Sequence, residues 1–368
     1  MTEVRGESAA AQEERIIEEH LAQEAERALN RKLSPWVKLG IVAAFVVVFF
    51  GSFMLGRYPV MPVEWFQGVI AHFAQLIDPS APIDNTLDNV LFKIRFPRIC
   101  VVLLVGAALA VAGASYQGMF KNPLVSPDIL GASAGASFGA CLALLLDLPN
   151  AYVQLFAFCG GMLAVGLAVW LNKLVRYDPI LGLVLGGILV STLFQSGTSV
   201  VKLLADANDK LPSITFWLMG SFASEDADQL AVIILPMLGG FALLLLESWK
   251  LNVLSFGDEE ARSMGINTRL VRLVVIFAST LVVSCSVAVS GIVGWVGLVV
   301  PHVARAVVGP NYRVLLPASM IIGSTFLLIV DDIARLMLSV EIPIGILTAI
   351  MGVPFFVIIF RHNMKGWK

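Results

Sequence analysis

The 368 residues are 58% hydrophobic and only 14% charged, with mean hydropathy +0.84. A soluble globular chain carries about 25% charged residues, so these values exclude one. The net charge of −2 decides little, because in a membrane chain the distribution of charge carries the information.

Residues 1–35 differ from the rest. The first 33 hold eight acids and five Lys/Arg, with a thin apolar stripe at Ile17, Leu21, Ala25 and Leu29. No apolar core follows a basic start, so this is not a signal peptide. It reads as an exposed, partly helical cytosolic extension, with 36–362 as the transmembrane domain and 363–368 as a cytosolic tail.

About 20 apolar residues span a bilayer as a helix, and the span must be helical because lipid offers the backbone no hydrogen-bond partner. Length and breakers predict about ten spans, at 36–56, 97–119, 128–146, 151–174, 180–204, 229–248, 270–290, 292–308, 314–336 and 343–360. The fold class is therefore all-α and polytopic. PSITFWLMGSF at 212–222 is too short to cross and reads as a short outer helix. Lys and Arg collect in alternate connections: Lys121, then Lys173 and Arg176, then Lys250 through Arg272, then Arg305 and Arg313. Acids collect in the others, including Asp84, Asp88, Asp206, Asp209, Glu225 and Asp226. The positive-inside rule then predicts both termini in the cytosol.

RFPR at 95–98 places two arginines at the expected outer start of the second span. Cations at a helix N-terminus oppose its dipole, so either an external anion or headgroup snorkelling would account for them. A-V-A-G at 110–113 and A-V-S-G at 288–291 each precede a proline by the same interval, Pro123 and Pro301. This hints at the inverted repeats common in transporters. G-A-S-A-G at 131–135 matches a hydrolase nucleophile pattern at Ser133 but lies in a small-residue helix, where close helix packing is the better reading. Cys100, Cys141, Cys159 and Cys285 form no ligand cluster, which points to packing and predicts no metal site.

SFGDEEARSMGINTRLVR, residues 255–272, interrupts the apolar chain with three acids, three arginines and two glycines. Acids suit the first turn of a short helix, Gly265 a left-handed cap, and Asn267 or Thr268 the cap of the next helix. The alternatives are a rigid protruding knob and an ordinary polar loop. Asp331 and Asp332 can both reach Arg335 on one helix face. The span interiors otherwise lack the charges of an ion-driven carrier, and no G-x-x-x-x-G-K-[ST] loop is present. Energy is therefore expected from another subunit; the alternative is a stand-alone secondary transporter or channel.

RFPR, then LLVGAALAVAGASYQGMFKNPLVSPDILGASAGA, LNVLSFGDEEARSMGI, GWVGLVVPHVAR, NYRVLLPAS, DDIAR and EIPIGILTAIMGVPFF make the chain resemble the FecCD-type permeases. These are membrane subunits of ABC importers for iron–siderophore complexes, haem and cobalamin. The resemblance implies a type II importer fold of ten helices and a homodimer. It implies two cytosolic ABC ATPases, one extracytoplasmic substrate-binding protein and no nucleic-acid partner. ATP and Mg would sit on the ATPases and no cofactor on this chain, which would catalyse nothing. It places binding-protein docking on Arg95, Arg98 and Arg335. ATPase coupling falls on Phe256, Gly257, Asp258, Glu259, Ala261, Met264 and Gly265, within coupling helices at 255–268. A cytosolic gate falls on Asn122 and Leu124. Arg176-Tyr177-Asp178 departs from the second gate of some relatives, so none is carried over. Iron–siderophore is the leading cargo, with haem, cobalamin and oxyanions open.

Overall fold

A computed structural model describes residues 34–80, 82–173 and 179–363. The extension expected at 1–35, Arg176–Asp178 and the end of the tail thus lie essentially outside the described residues. The chain forms helices throughout: α1 (Pro35–Met54), α2 (Pro62–Ile77), α3 (Asn85–Met119), α4 (Ala132–Leu145), α5 (Asn150–Asn172) and α6 (Pro179–Leu204). There follow α7 (Lys210–Met219), α8 (Ala227–Phe256), α9 (Asp258–Ser263), α10 (Thr268–Ser290), α11 (Val296–Val308), α12 (Tyr312–Leu336) and α13 (Ile344–Asn363).

Each expected span contains a helix, and among the described residues seven are long and apolar enough to cross a membrane. Two are not. At 14 and 13 residues, α4 and α11 rise about 20 Å, short of the ~30 Å hydrocarbon core. Each completes its path with non-α backbone, the 3₁₀ turn Pro127–Leu130 and the irregular segment 291–295, where Pro127, Leu130, Gly291 and Val293 are buried in protein. Irregular backbone at membrane depth needs such cover. A short helix is present at the expected place as α7, stopped by Gly220 at φ +76°. One element was not expected at all: α2, with Phe66, Ile70 and Phe73 exposed along one side.

The centre of the bundle is α3, 83% buried over its apolar window, beside α10 at 78%, whereas α1 at 11% lies outside. Small residues permit this. A Cβ on Gly113 of α3 would lie 1.8 Å from the carbonyl oxygen of Gly297 in α11, so the two backbones touch. The two A-V-x-G strings land in unlike places. Gly113 is mid-helix, whereas Gly291 leaves the end of α10 at φ +65°.

α3 and α12 run antiparallel, since Gly106 packs on Gly323 and Arg98 pairs with Asp331. This defines two ends. At one, Arg98 and Arg335 meet. At the other, Gly118 of α3 abuts the Tyr312 ring of α12, and Asn252 of α8 accepts the Tyr312 N–H at 2.8 Å.

Candidate functional site

At the first end, three arginines are drawn into the protein. Arg95, Arg98 and Arg335 are 4%, 6% and 8% exposed. Arg98 binds Asp331 at 2.8 Å through Nη2 and 3.1 Å through Nε, and reaches Glu341 at 2.8 and 3.0 Å. Arg335 donates to Asp332 and lies 3.2 Å from Asp331 as an ion pair without hydrogen-bond geometry. Ser52 of α1 donates to Asp332 at 2.5 Å, and Arg95 donates to the carbonyls of Phe53 and Tyr58. The expected pairing of Asp331 and Asp332 with Arg335 is present.

The anion sought outside for RFPR is thus supplied for Arg98 from within. Nor do these arginines begin a helix: α3 starts ten residues before Arg95, at Asn85, and turns as a π-helix over Asn89–Arg95 before Pro97. The dipole objection therefore falls away. Proline lacks an N–H and its ring crowds the preceding turn, which is where a π-turn is accommodated.

At the other end, α8 runs 30 residues and carries the chain well past the expected 229–248. Gly257 breaks it at φ +146°, α9 follows, and Gly265 at φ +79° closes α9 while Ile266 N–H bonds the Ala261 carbonyl at 3.0 Å. Asn267 caps α10 by accepting from Leu270 N–H at 3.1 Å. Arg272 ties α9 to α10 through Asp258 at 2.7 Å. The segment is therefore a capped, braced knob and not a loose loop. Its outward residues include Phe256, 53% exposed, Met264, 62% exposed, Glu259 and Gly265; Asp258 is half-buried, and Gly257 and Ala261 are buried. Asn122 and Leu124 lie exposed just past the C-terminus of α3 at this same end, with Asn122 Oδ1 accepting the Leu124 N–H at 2.9 Å.

Between the ends, the G-A-S-A-G segment packs closely: a Cβ on Gly135 would meet the Gly160 carbonyl at 2.2 Å. Ser133 donates to Asp128, and the His302 ring faces the Leu298 carbonyl at 3.4 Å. Among the described residues no nucleophile–base pair forms there. Instead Ser133 and Asp128 line a cavity of about 530 Å³ together with Ser191, Gln195, Thr198 and Lys202 of α6. Those four recur at helical spacing on one side of a span. This polar periodicity was the signal in the sequence that reading for charge alone passed over.

A model of the FecCD transport family matches residues 44–362. The molybdate import system permease protein MolB of Haemophilus influenzae is 38% identical over 90% of this chain and 97% of its own. The Fe(3+)-citrate import system permease protein YfmE of Bacillus subtilis is 36% identical over 77% of this chain and 85% of its own. A solved inward-facing ABC transporter structure assigned to the metal-chelate type superposes with TM-score 0.80 at 36% identity, covering 89% of this chain and all of that one.

Proposed function

The chain belongs to the FecCD transport family, and from that premise we propose that it is the permease subunit of an ATP-binding cassette importer moving an iron chelate, siderophore-bound iron foremost, across the cytoplasmic membrane. It works as a homodimer with two cytosolic ATPases and one extracytoplasmic binding protein, its termini in the cytosol. ATP and Mg belong to the ATPases, and no cofactor belongs to this chain.

The observation that carries this reading is the knob. Phe256 and Met264 are large apolar side chains exposed on a segment fixed by two glycine turns, an Asn cap and an ion pair. Exposed apolar residues on a rigid support suit a protein partner, and a rigid support transmits force. Closure of the ATPases on ATP would push α9 and, through the Asp258–Arg272 pair, α10 at the centre of the bundle. Asn122 and Leu124, at the same end, form the cytosolic gate. The polar cavity against α6 is a stretch of the cargo route. Arg95, Arg98 and Arg335 receive carboxylates of the binding protein by exchange of partners, with Glu341 the acid that yields.

One observation favours a second cargo. The 38% identity to a molybdate permease supports an oxyanion. Nothing in the comparisons supports a stand-alone carrier.

The test uses Met264→Asp and Glu259→Lys, which alter the exposed face and spare the Asp258–Arg272 brace. Each is expected to lower co-purification of the ATPase and ATP-driven uptake by about tenfold or more. Unchanged ATPase assembly and uptake would overturn the coupling assignment.

A further inference from the structure

The cavity against α6 is long, and its two charges stand at opposite ends. Ser191, Gln195, Thr198, Ser199 and Lys202 line it from α6. At about 1.5 Å of rise per residue, Ser191 and Lys202 are about 16 Å apart along the helix. The turn Pro127–Leu130 crosses at the Ser191 end. A Cβ on Gly187 would meet the Ile129 carbonyl at 2.1 Å, and one on Gly131 the Ser191 hydroxyl at 2.8 Å. Asp128 therefore lies deep in the cavity and Lys202 at its other end. That end is the arginine end. There α6 leads into α7, and Gly220 at the close of α7 accepts from Ile344 N–H at 2.9 Å, shortly after Arg335 in the chain.

Most hydroxyls in this wall have already given their protons. Ser133 donates to Asp128, and Ser137 to the Ser133 carbonyl at 2.7 Å. Thr198 and Ser199 donate to the Phe194 and Gln195 carbonyls at 3.0 Å each. Back-bonded in this way, these oxygens have only lone pairs left to offer. Side-chain N–H donors come from Lys202 and Gln195. Neither side chain has a hydrogen-bond or ion-pair partner among the described residues, and the half-buried Lys202 ammonium is not sealed. Nearby acids are committed elsewhere. Asp206 accepts the N–H groups of Asn208 and Asp209, and Asp147 pairs with Lys210 at 2.5 Å. Lys202 thus lies within the apolar span Ile180–Leu204 without a counter-charge, an arrangement that marks a substrate or ion path.

We propose that Lys202 and Gln195 form an anion subsite at the entry of this cavity, so that the cargo passes along α6 as a net anion, an oxyanion or a negatively charged ferric chelate. The proposal rests on the importer reading above and gives its cargo route a charge preference. Helical side chains lean toward the helix N-terminus, so Lys202 reaches back toward Gln195, about 10 Å below it along the axis. The ammonium supplies three N–H donors and a full charge, and the Gln195 amide supplies two more donors. Deeper in, Asp128 and the lone pairs of the hydroxyls offer an anion nothing. The anion is therefore held at the entry, and the deep end favours its departure.

The complete transporter, with its ATPase and binding protein in vesicles, is supplied with radiolabelled molybdate, ferric citrate or an uncharged ferric trihydroxamate. An anionic probe is expected to be accepted, with initial uptake about tenfold lower in Lys202→Met and restored in Lys202→Arg. A second measurement needs no transport. In a Cys159→Ser background, Ser199→Cys is labelled with thiosulfonate reagents carrying either a sulfonate or a trimethylammonium group. The ratio of the sulfonate rate to the trimethylammonium rate is expected to fall about tenfold when Lys202→Met is added. Undiminished anion uptake in Lys202→Met, no recovery in Lys202→Arg, acceptance of the uncharged chelate alone, or an unchanged labelling ratio would overturn the proposal. The last result would place the ammonium among lipid headgroups. Absence of ATP-driven uptake of every probe would strike the importer reading or its cargo, while the labelling ratio would still decide whether Lys202 sets the charge of this cavity.

Discussion

Two carboxyl groups at the arginine end respond to pH in opposite directions. Burial alone would raise Glu341, but hydrogen bonds and charge from Arg98, helped by Arg335 and Arg57, hold it below its ordinary range. Its stabilisation is therefore present above the ordinary carboxylate pKa of about 4.3 and is lost as pH falls through the lowered value. Glu225 is raised, from an ordinary value of 4.5 to about 8, so its ionisation works against the fold as pH climbs across that interval and levels off above it. At 25% side-chain exposure, Glu341 is also the accessible member of the Arg98 cluster. Glu341→Gln is expected to lower the thermal midpoint in detergent by a few degrees at neutral pH, and the deficit should close on acidification. It should also tighten capture of the binding protein about threefold, because Arg98 loses an internal competitor. Weaker or unchanged capture would mean that Arg98 serves the fold alone.

Among the elements, α3 carries the most constraint. RFPR suggested a helix start, because proline favours the first turn. The helix instead runs on through it, and the local cost is taken up by the π-turn upstream. Further along, Gly113 abuts the backbone of Gly297, and a backbone oxygen cannot rotate aside as a side chain can. Gly113→Val should therefore destabilise by about 3 kcal/mol or more, read as loss of folded, monodisperse protein after heating in detergent. Retained stability would show that α3 and α11 separate readily. The knob shows the converse. Its turns and caps were legible because Gly and Asn have local conformational preferences, but whether it was rigid depended on Arg272, fourteen residues from its partner Asp258. α2 was passed over because its apolar residues are spaced along one face and make no continuous run.

On the scale of the whole molecule, antiparallel packing of α3 against α12 sets the arginine cluster at one end and the knob at the other, with the polar cavity of Asp128, Ser133 and α6 between them. Among the described residues lining that cavity Asp128 is the one carboxylate, bonded to Ser133, and a single acid makes no relay of the kind an ion-driven carrier uses. The purified polypeptide alone in vesicles should therefore move neither molybdate nor ferric citrate under a proton gradient, and transport should appear only with ATPase, binding protein and ATP together. Uptake by the polypeptide alone would contradict this.

The sequence by itself determined that this is a helical, multi-pass membrane protein of the FecCD type, where nearly all its spans lie, and that the 255–272 stretch turns twice. These follow from hydrophobic run length and from the local preferences of Gly, Pro and Asn, which act over a few residues. Tertiary structure alone decided that Arg98 meets Asp331 and Glu341, 233 and 243 residues away. It also decided that the arginines are buried, that α6 turns a polar side to a cavity, and that Glu225 is sealed without a partner. Those outcomes depend on which distant surfaces share one dry space, where charge must be paired or neutralised, and no local pattern encodes that.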